Sequence, residues 1–404
     1  MEGDNMIRLK RQNRGAVLRC LHRYDGLSRK KLANELGLTP AAITKIAAEL
    51  IAEGLVRETG AVSTGGVGRR EITLSLQPDA RCALGVWLGL GRAVLSAVRL
   101  DGSVLFSEDV LLSVPANAEA TVRLLSDLLL MQIQRHALPR ERIVGLGIAV
   151  RGVIGQDRRT VKSSFDALDT DDFPICERFE ALTGFSAVLS NNVRALFAAE
   201  RFFSRESETG SALFVRCASG IGAAISVRGQ ILSGSRGQCA EIGHIPVIRH
   251  GGKPCHCGKS GCLETIASPA AIVEDAQALF SEDRTPLLYA RVNGRREAVS
   301  LSDVLEAAQG GDAGAASVTD RAADAMANAL KSVIYLIDPA RIVLYGPIFE
   351  HPYFLSRLKA EMTVGVDAAH AVPMEKSRFN NTLEDKAAGL LAVAKYLENG
   401  GVSE

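Results

Sequence analysis

The 404-residue sequence has no apolar run of about 18 residues and no basic-then-apolar leader, the features that mark a transmembrane helix and a secretory signal. Its net charge is also small, because 47 Lys and Arg are balanced by 46 Asp and Glu. We therefore expect a cytoplasmic protein with no membrane partner. In that compartment most of its cysteines should be buried free thiols. These are Cys20, Cys82, Cys176, Cys217 and Cys239.

The small net charge conceals an asymmetry along the chain. Residues 1–76 contain 13 Lys and Arg against 8 Asp and Glu, a net of +5, while the remainder contains 34 against 38, a net of −4. The length is too great for one compact core and predicts two or three domains. The first fifth of the chain is thus where a polyanion such as DNA would bind.

The other three cysteines and three histidines lie in one glycine-bearing stretch, residues 244–262. Zinc takes about four soft or borderline ligands in a tetrahedron, and four protein ligands leave no open position for water, as in a structural site. We predict a structural zinc ion held by His244, Cys255, Cys257 and Cys262. Spacing alone leaves His250 or His256 as a replacement for His244, and a loop of free thiols is the alternative to a metal site.

The first 76 residues carry the pattern of a winged helix-turn-helix. Apolar residues at helical spacing predict a helix over residues 14–24. Ser28 is a good N-cap for a second helix that stops at Gly37, and Thr39 followed by Pro40 begins a third. Residues 55–58 and 70–76 read as strands bracketing a wing. The short turn between the second and third helices favours double-stranded operator DNA as the partner.

The third helix would enter the major groove with its outward side chains. Those side chains are Ala41, Ala42, Thr44, Lys45 and Ala48. Among them Thr44 and Lys45 are the best candidates for reading base edges. Arg69 and Arg70, at the wing, would contact phosphates, and Ser28, Thr39 and Ala41 complete the predicted DNA-binding set. A helical protein-binding module or a plain capping bundle is the alternative.

After a predicted linker at residues 77–81, strands and helices alternate, which argues for an α/β body over residues 82–404. Predicted strands are residues 84–90, 93–100, 104–106, 143–150, 187–190, 212–216 and 342–345. Predicted helices are residues 118–135, 193–203, 268–280 and 322–336.

Three short runs resemble the signature of the ROK family, which joins repressors and sugar kinases. They are Glu-Ile-Gly-His at 241–244, Cys-His-Cys-Gly at 255–258 and Gly-Cys-Leu-Glu at 261–264. The resemblance implies a two-lobed actin-like (ribonuclease H-like) sugar kinase fold from about residue 82 onward. It also implies that the histidine of the first run and the three cysteines hold a structural zinc.

Matched to the family's kinases, the sequence departs at the positions that carry catalysis. The phosphate-loop carboxylate and hydroxyl correspond to Trp87 and Gly91, and the general base corresponds to Asn192, whose amide cannot accept a proton near neutral pH. Pro347 replaces the second glycine of a nucleotide turn. Only the glycines at 220 and 222 keep the look of a phosphate loop, which is weak evidence. We therefore predict that the protein is not an enzyme.

The resemblance also implies contacts to a sugar. The residues concerned are Gly152, Ser164, Asn191, Asn192, Glu241, His244 and Glu264. Amides and carboxylates suit a polyol because they accept and donate several hydroxyl hydrogen bonds. We predict a transcriptional regulator, most simply a repressor of carbohydrate genes, that responds to a sugar or sugar derivative and forms a homodimer or homotetramer. A sugar kinase with an added DNA-binding domain is the alternative, and a regulator that responds to a partner protein is a third.

Overall fold

The structure is a computed structural model that describes residues 2–24, 26–62, 71–165, 167–204, 210–364, 371–379 and 382–403. The chain divides into two compact units, Met1–Glu206 with Thr382–Glu404 and Ser207–Asn381. No helix within the described ranges has both the length and the apolarity to cross a bilayer.

The first unit begins with a three-helix, three-stranded head. Its helices are α1 (Glu2–Arg23), α2 (Arg29–Leu36) and α3 (Pro40–Ala52). Its antiparallel strands, in the order β1-β3-β2, are β1 (Leu27–Ser28), β2 (Val56–Val62) and β3 (Glu71–Leu76). Both predicted N-caps are confirmed, since Ser28 Oγ accepts from Lys31 N at 3.3 Å and Thr39 Oγ1 from Ala42 N at 3.2 Å. Helix α1 extends the predicted helix to Glu2.

The body of the first unit is a five-stranded sheet in the order β10-β7-β4-β5-β6. The strands of this sheet are β4 (Cys82–Leu88), β5 (Arg92–Arg99), β6 (Val104–Leu111), β7 (Ile143–Val150) and β10 (Ala187–Asn191). Between β7 and β10 in the chain, β8 (Val153–Ile154) and β9 (Val161–Ser163) form a separate two-stranded sheet. The helices are α4 (Ala118–Arg135), α5 (Ile175–Thr183) and α6 (Asn192–Phe202). Strands β4, β5 and β6 are antiparallel, whereas β7 runs parallel to β4 and β10. Helix α4 and strand β7 have the predicted bounds.

The second unit is also a five-stranded sheet with helices, in the order β13-β12-β11-β14-β15. Its strands are β11 (Ala212–Cys217), β12 (Ile221–Val227), β13 (Gln230–Ile231), β14 (Arg341–Tyr345) and β15 (Met374–Lys376). Its helices are α7 (Glu264–Ala267), α8 (Pro269–Leu279), α9 (Pro286–Arg291), α10 (Leu301–Gln309), α11 (Ala313–Ile337), α12 (Pro347–Glu350) and α13 (Pro352–Thr363). Helix α11 begins nine residues before the predicted 322 because Asp312 caps it at Ala315 N.

The last helix, α14 (Glu384–Glu398), returns to the first unit and packs on β4, β5, β7 and α6. Glycines let the helix and the sheet backbones meet, since a Cβ on Gly147 would overlap the carbonyl of Ala388. Helix α1 packs on the end of α14 in the same way, because a Cβ on Gly15 would overlap the carbonyl oxygen of Glu398. The head is therefore in direct contact with the body of this unit.

The segment predicted as a linker is bonded to the elements on both sides of it. Gln77 N donates to Leu55 O at 2.8 Å, and Leu100 N donates to Pro78 O at 3.3 Å. Asp79 forms a 2.6 Å ion pair with Arg99 of β5. The boundaries at residues 76 and 82 remain a prediction about how the chain divides into domains.

We predict that Gly15→Ala destabilises the first unit. At an exposed helix position, alanine is about 1 kcal/mol more stabilising than glycine. At position 15, however, the added methyl group would push α1 away from the Glu398 carbonyl, at a cost of about 1–3 kcal/mol. Calorimetric unfolding should show a lower melting temperature. Gln12→Ala, exposed on the same helix, is the control and should change little. A stabilised Gly15→Ala protein would contradict the packing of α1 on α14.

Candidate functional site

The predicted metal ligands converge in the second unit. One donor atom from each of His244, Cys255, Cys257 and Cys262 lies within 4.8 Å of the others. Cys255 Sγ is 3.5 Å from His244 Nδ1, and Cys257 Sγ is 3.6 Å from Cys262 Sγ. The cluster has the donors and the proximity to hold a metal ion.

Backbone hydrogen bonds fold the loop that carries these ligands. Cys255 N donates to Lys259 O at 2.7 Å and Gly258 N donates to Cys255 O at 3.0 Å, which makes a tight turn. Gly258 and Gly261 take φ values of 83° and 72°, in the left-handed region that glycine occupies without strain. Leu263 N then donates to Ile245 O at 2.9 Å, which brings the two sides of the loop together.

The thiols differ in their electrostatic surroundings. Burial, followed by the neighbouring Cys257 and Cys255 thiols, raises the pKa of Cys262 to about 12. Burial also opposes ionisation of Cys257, but hydrogen bonds from the backbone of Lys259 and from the other thiols lower its pKa. Since cysteine binds metals as the thiolate, a bound cation would displace thiol protons here.

The structure distinguishes between His250 and His256, the two histidines that spacing left as replacements for His244 in the ligand set. His250 is exposed and belongs to neither group of metal-capable residues found among the described ranges. His256 joins His244 and Glu264 in the second such group. Its Nδ1 lies 3.2 Å from Glu264 Oε1 and 4.0 Å from Cys255 Sγ.

Glu264, at the start of α7, is held from two sides. Its Oε2 accepts from Ile221 N at 2.7 Å, while Oε1 faces His256. A Cβ on Gly220 would lie 2.5 Å from Oε2, so this glycine makes room for a carboxylate. Glu241 is half-buried and directly precedes the short 3-10 turn Ile242–His244.

The predicted effector residues of the first unit lie at the start of α6 and beside β8. Asn191 caps α6, with Oδ1 accepting from Val193 N at 2.9 Å, and its Nδ2 donates to Gly152 O at 2.9 Å. Asn192 Oδ1 also accepts from Val193 N at 2.9 Å, and both asparagines are buried. Asn191 therefore has a structural role whatever else it contacts.

Gly152 and Ser164 are held closely in the loops around the β8–β9 pair. Gly152 takes a φ of 134°, and a Cβ there would overlap the carbonyl oxygen of Ser163. The buried Ser164 Oγ donates to Leu168 O at 3.1 Å and accepts from Leu168 N at 2.9 Å. Both hydrogen bonds tie the Ser164 hydroxyl to the backbone of its own loop.

The outward face of α3 matches the predicted recognition surface. Ala41, Thr44, Lys45 and Ala48 are exposed and Ala42 is half-buried. Thr44 Oγ1 donates to Pro40 O at 2.8 Å within the helix. Ser28 differs from the rest of the predicted DNA-binding set, since it is 4% exposed and its hydroxyl caps α2. Arg69 and Arg70 lie outside the described residues.

Two contacts that sequence reasoning missed join the head to the body of the first unit. Arg14 Nε donates to Gly400 O at 2.9 Å, across 386 positions in the chain. His22 Nε2 lies 2.8 Å from Phe202 O at the end of α6, with the two rings 3.9 Å apart. Burial lowers the pKa of His22, which favours the neutral ring. No local pattern signals pairs so distant in sequence.

Comparison with known proteins identifies the family to which the chain belongs. The model of the ROK family matches residues 83–395, and the model of the MarR family matches residues 11–59. The chain belongs to the ROK family. Its relatives include the DNA-binding transcriptional dual regulator NagC of Escherichia coli, 28% identical over 86% of this chain and 83% of the relative. The DNA-binding transcriptional repressor Mlc of Escherichia coli is 25% identical over 98% and 95%.

Solved structures give the same result for the fold. A ROK family transcriptional regulator, described as a homologue of the Escherichia coli Mlc protein, matches with a TM-score of 0.82, 25% identity and 98% coverage of both chains. A ROK family glucokinase from Streptomyces griseus matches with a TM-score of 0.65 and 21% identity, over 77% of this chain and 98% of its own. The predicted combination of a winged helix-turn-helix and a ROK actin-like fold is confirmed.

Three of the residues predicted to replace kinase groups, Trp87, Gly91 and Pro347, lie in or beside strands and helices. Trp87 is buried in β4 with the Arg92 guanidinium 6.0 Å from its ring centroid. Gly91 lies in the turn before β5 with a φ of 70°. Pro347 is the first residue of α12, after Gly346, whose Cβ would overlap the Cys217 carbonyl oxygen. Trp87 thus contributes a packed ring to the first unit.

Proposed function

We propose that this protein is a ROK transcriptional regulator, acting as a repressor, whose binding to operator DNA is controlled by a sugar or sugar derivative. The observation that carries the proposal is a winged head, whose helix α3 exposes Lys45 on its outward face, packed directly on a ROK body. The relatives support it, since they include proteins named N-acetylglucosamine repressor and xylose repressor. We expect the protein to act in the cytoplasm, on carbohydrate genes.

Helix α3 is the proposed reader of the major groove. Lys45 and Thr44 lie on its exposed face, with Ala41 one turn earlier, so short side chains let the helix approach the bases while Lys45 reaches them. Thr39 is exposed at the N-terminus of α3, where a phosphate is favoured. Arg69 and Arg70 are proposed phosphate contacts of the wing. Because operators read by such heads have two-fold symmetry, we propose a homodimer or homotetramer.

We propose that the ion in the cysteine loop is zinc and that its role is structural. Three thiolates and one imidazole form a donor set that zinc prefers, and four protein ligands fill a tetrahedron. The ion would fix the loop from residue 244 to 262, which ends two residues before Glu264. It would therefore hold His244 and Glu264 in place for ligand recognition.

The effector contacts we propose are those that the family resemblance implies. In the first unit they are Gly152, Ser164, Asn191 and Asn192, and in the second Glu241, His244 and Glu264. Glu264 is favoured because its Oε2 accepts from Ile221 N and its Oε1 lies 3.2 Å from His256 Nδ1, contacts that fix the carboxylate for a sugar hydroxyl. Asn192 can bind a hydroxyl but cannot remove its proton.

A sugar kinase with an added DNA-binding head is the second candidate. Sequence similarity to a glucokinase from Halalkalibacterium halodurans favours it, since the two chains are 30% identical over 55% of this chain and 67% of the glucokinase. Against it stand Trp87, Gly91, Asn192 and Pro347, none of which can supply the kinase group it replaces. Gly220, one of the two glycines that keep the look of a phosphate loop, packs against Glu264.

For DNA binding, we predict that Lys45→Ala weakens affinity for an operator selected from a randomised duplex library. The loss should be about 1–3 kcal/mol if Lys45 reads a base, or a reduction of about one in the salt slope if it contacts a phosphate. Fluorescence anisotropy at several salt concentrations separates the two. Lys376→Ala, an exposed lysine of the second unit, is the control. If Lys45→Ala and Lys376→Ala bind the operator with equal affinity and equal salt slope, the α3 face is excluded as the DNA-binding surface.

For the metal site, we predict one zinc per chain by mass spectrometry of the purified protein. Cys257→Ser and Cys262→Ser should lose it, and chelation should lower the melting temperature because a structural ion stabilises only the folded loop. Cys239→Ser, outside the cluster, should retain full zinc. Zinc retained by both cluster variants would contradict the ligand set.

For the kinase alternative, we predict no ATP-dependent phosphorylation of glucose, N-acetylglucosamine or xylose. Asn192→Asp should also be inactive, because it restores one carboxylate and leaves positions 87, 91 and 347 unchanged. A coupled assay with the Streptomyces griseus glucokinase as positive control measures this. Turnover by the wild-type chain at about 1 s⁻¹ or faster, the ordinary enzymatic range, would favour the kinase.

A further inference from the structure

The second unit contains a cavity of about 260 Å³ between α11, α13 and the segment that leads into β15. Each helix contributes three lining residues at positions i, i+3 and i+4, which lie on one helical face. Those of α11 are Lys331, Ile334 and Tyr335, and those of α13 are Lys359, Met362 and Thr363. None of the residues proposed above for the sugar lines this cavity.

The floor of the cavity is apolar. Ile334 and Met362 are 6% and 9% exposed and belong to the core of this unit. Val372 and Met374, on the third side, pack against the same core. An apolar cavity of about 150 Å³ takes a benzene molecule, so this larger one has room for a ring with a short side chain.

Both charged residues of the described lining are lysines. Both helices place a lysine one turn before their floor residue, and the lining contains no carboxylate among the described residues. Lys331 Nζ donates to Val364 O at 2.9 Å, which holds the ammonium near the end of α13 and leaves two of its three N–H groups for another acceptor. Lys359 is exposed on the facing helix.

We propose that this cavity binds a small amphipathic carboxylate, with an aromatic ring or short acyl chain on the apolar floor and its carboxylate bound by Lys331 and Lys359. The apolar floor selects the body of the ligand, because burying it there removes apolar surface from water. The two ammonium groups select a negative head over a neutral one. This would be a second ligand site, independent of the sugar site.

Three probes that share parts of one molecule test the proposal by isothermal titration calorimetry on the full chain. We expect 4-phenylbutyrate to bind, 4-phenylbutan-1-ol to bind about tenfold more weakly because it lacks the charge-assisted hydrogen bonds, and acetate not to bind measurably. No binding of 4-phenylbutyrate at millimolar concentration would overturn the proposal. Equal affinity for the acid and the alcohol would overturn the role of the lysines.

Variants locate the binding. Lys331→Gln and Lys359→Gln should each weaken 4-phenylbutyrate about tenfold and leave the alcohol unchanged, whereas Lys359→Arg should retain binding. Ala371→Phe should abolish binding of both, since Ala371 is exposed at the rim and a larger side chain there would fill the cavity without disturbing the core. Lys376→Gln is the matched control.

Two outcomes would assign the cavity differently. Undiminished binding by Ala371→Phe would locate the ligand elsewhere and overturn the proposal. A change of oligomeric mass on sedimentation of Ala371→Phe, with no 4-phenylbutyrate binding by the wild type, would make this groove a contact between copies of the chain.

Discussion

Arg14 is the residue on which the position of the DNA-reading head depends. Its side chain is buried, and its three nitrogens bond to Gly400 O at 2.9 Å, to Glu49 at 3.1 Å and to Glu53 at 2.6 Å. A buried guanidinium is stable only when its donors are satisfied, and both carboxylates raise the pKa of Arg14 against the effect of burial. Because Glu49 and Glu53 lie at the end of the recognition helix, one side chain holds that helix, α1 and the end of the chain together.

Helix α6 is a second connection within the same unit. Two of the proposed effector contacts lie at its start, Asn191 as its N-cap and Asn192 as its first residue, and its last residue offers a carbonyl to His22 of α1. A rigid helix transmits a shift at one end to the other, so a ligand that moves Asn192 would move the base of the head. Coupling of this kind requires that the sugar bind the two positions of the head with different affinity.

Local patterns predicted the elements and the metal loop but not the contacts that connect them. Capping and periodicity located α2, α3 and α4, because the signals are short-range: a hydroxyl at Ser28, or proline after Thr39. Clustered cysteines likewise predicted which side chains converge in the loop, and the structure brings those side chains together. The contacts of Arg14 with Gly400 and of His22 with Phe202 depend on how distant segments pack. Local sequence spacing cannot predict that packing. The contact of Gly220 with the Glu264 carboxylate was likewise not predicted, because the two residues are 44 positions apart in the sequence.

The measurement that tests the account most directly is the affinity of the full chain for its operator with and without sugars. Fluorescence anisotropy would be run with each sugar that calorimetry shows to bind, at saturating concentration. If the body controls the head, at least one of these sugars lowers operator affinity by about 5- to 150-fold, the usual range of allosteric coupling. If every sugar that binds leaves operator affinity unchanged, the body does not control the head and the proposed function is wrong.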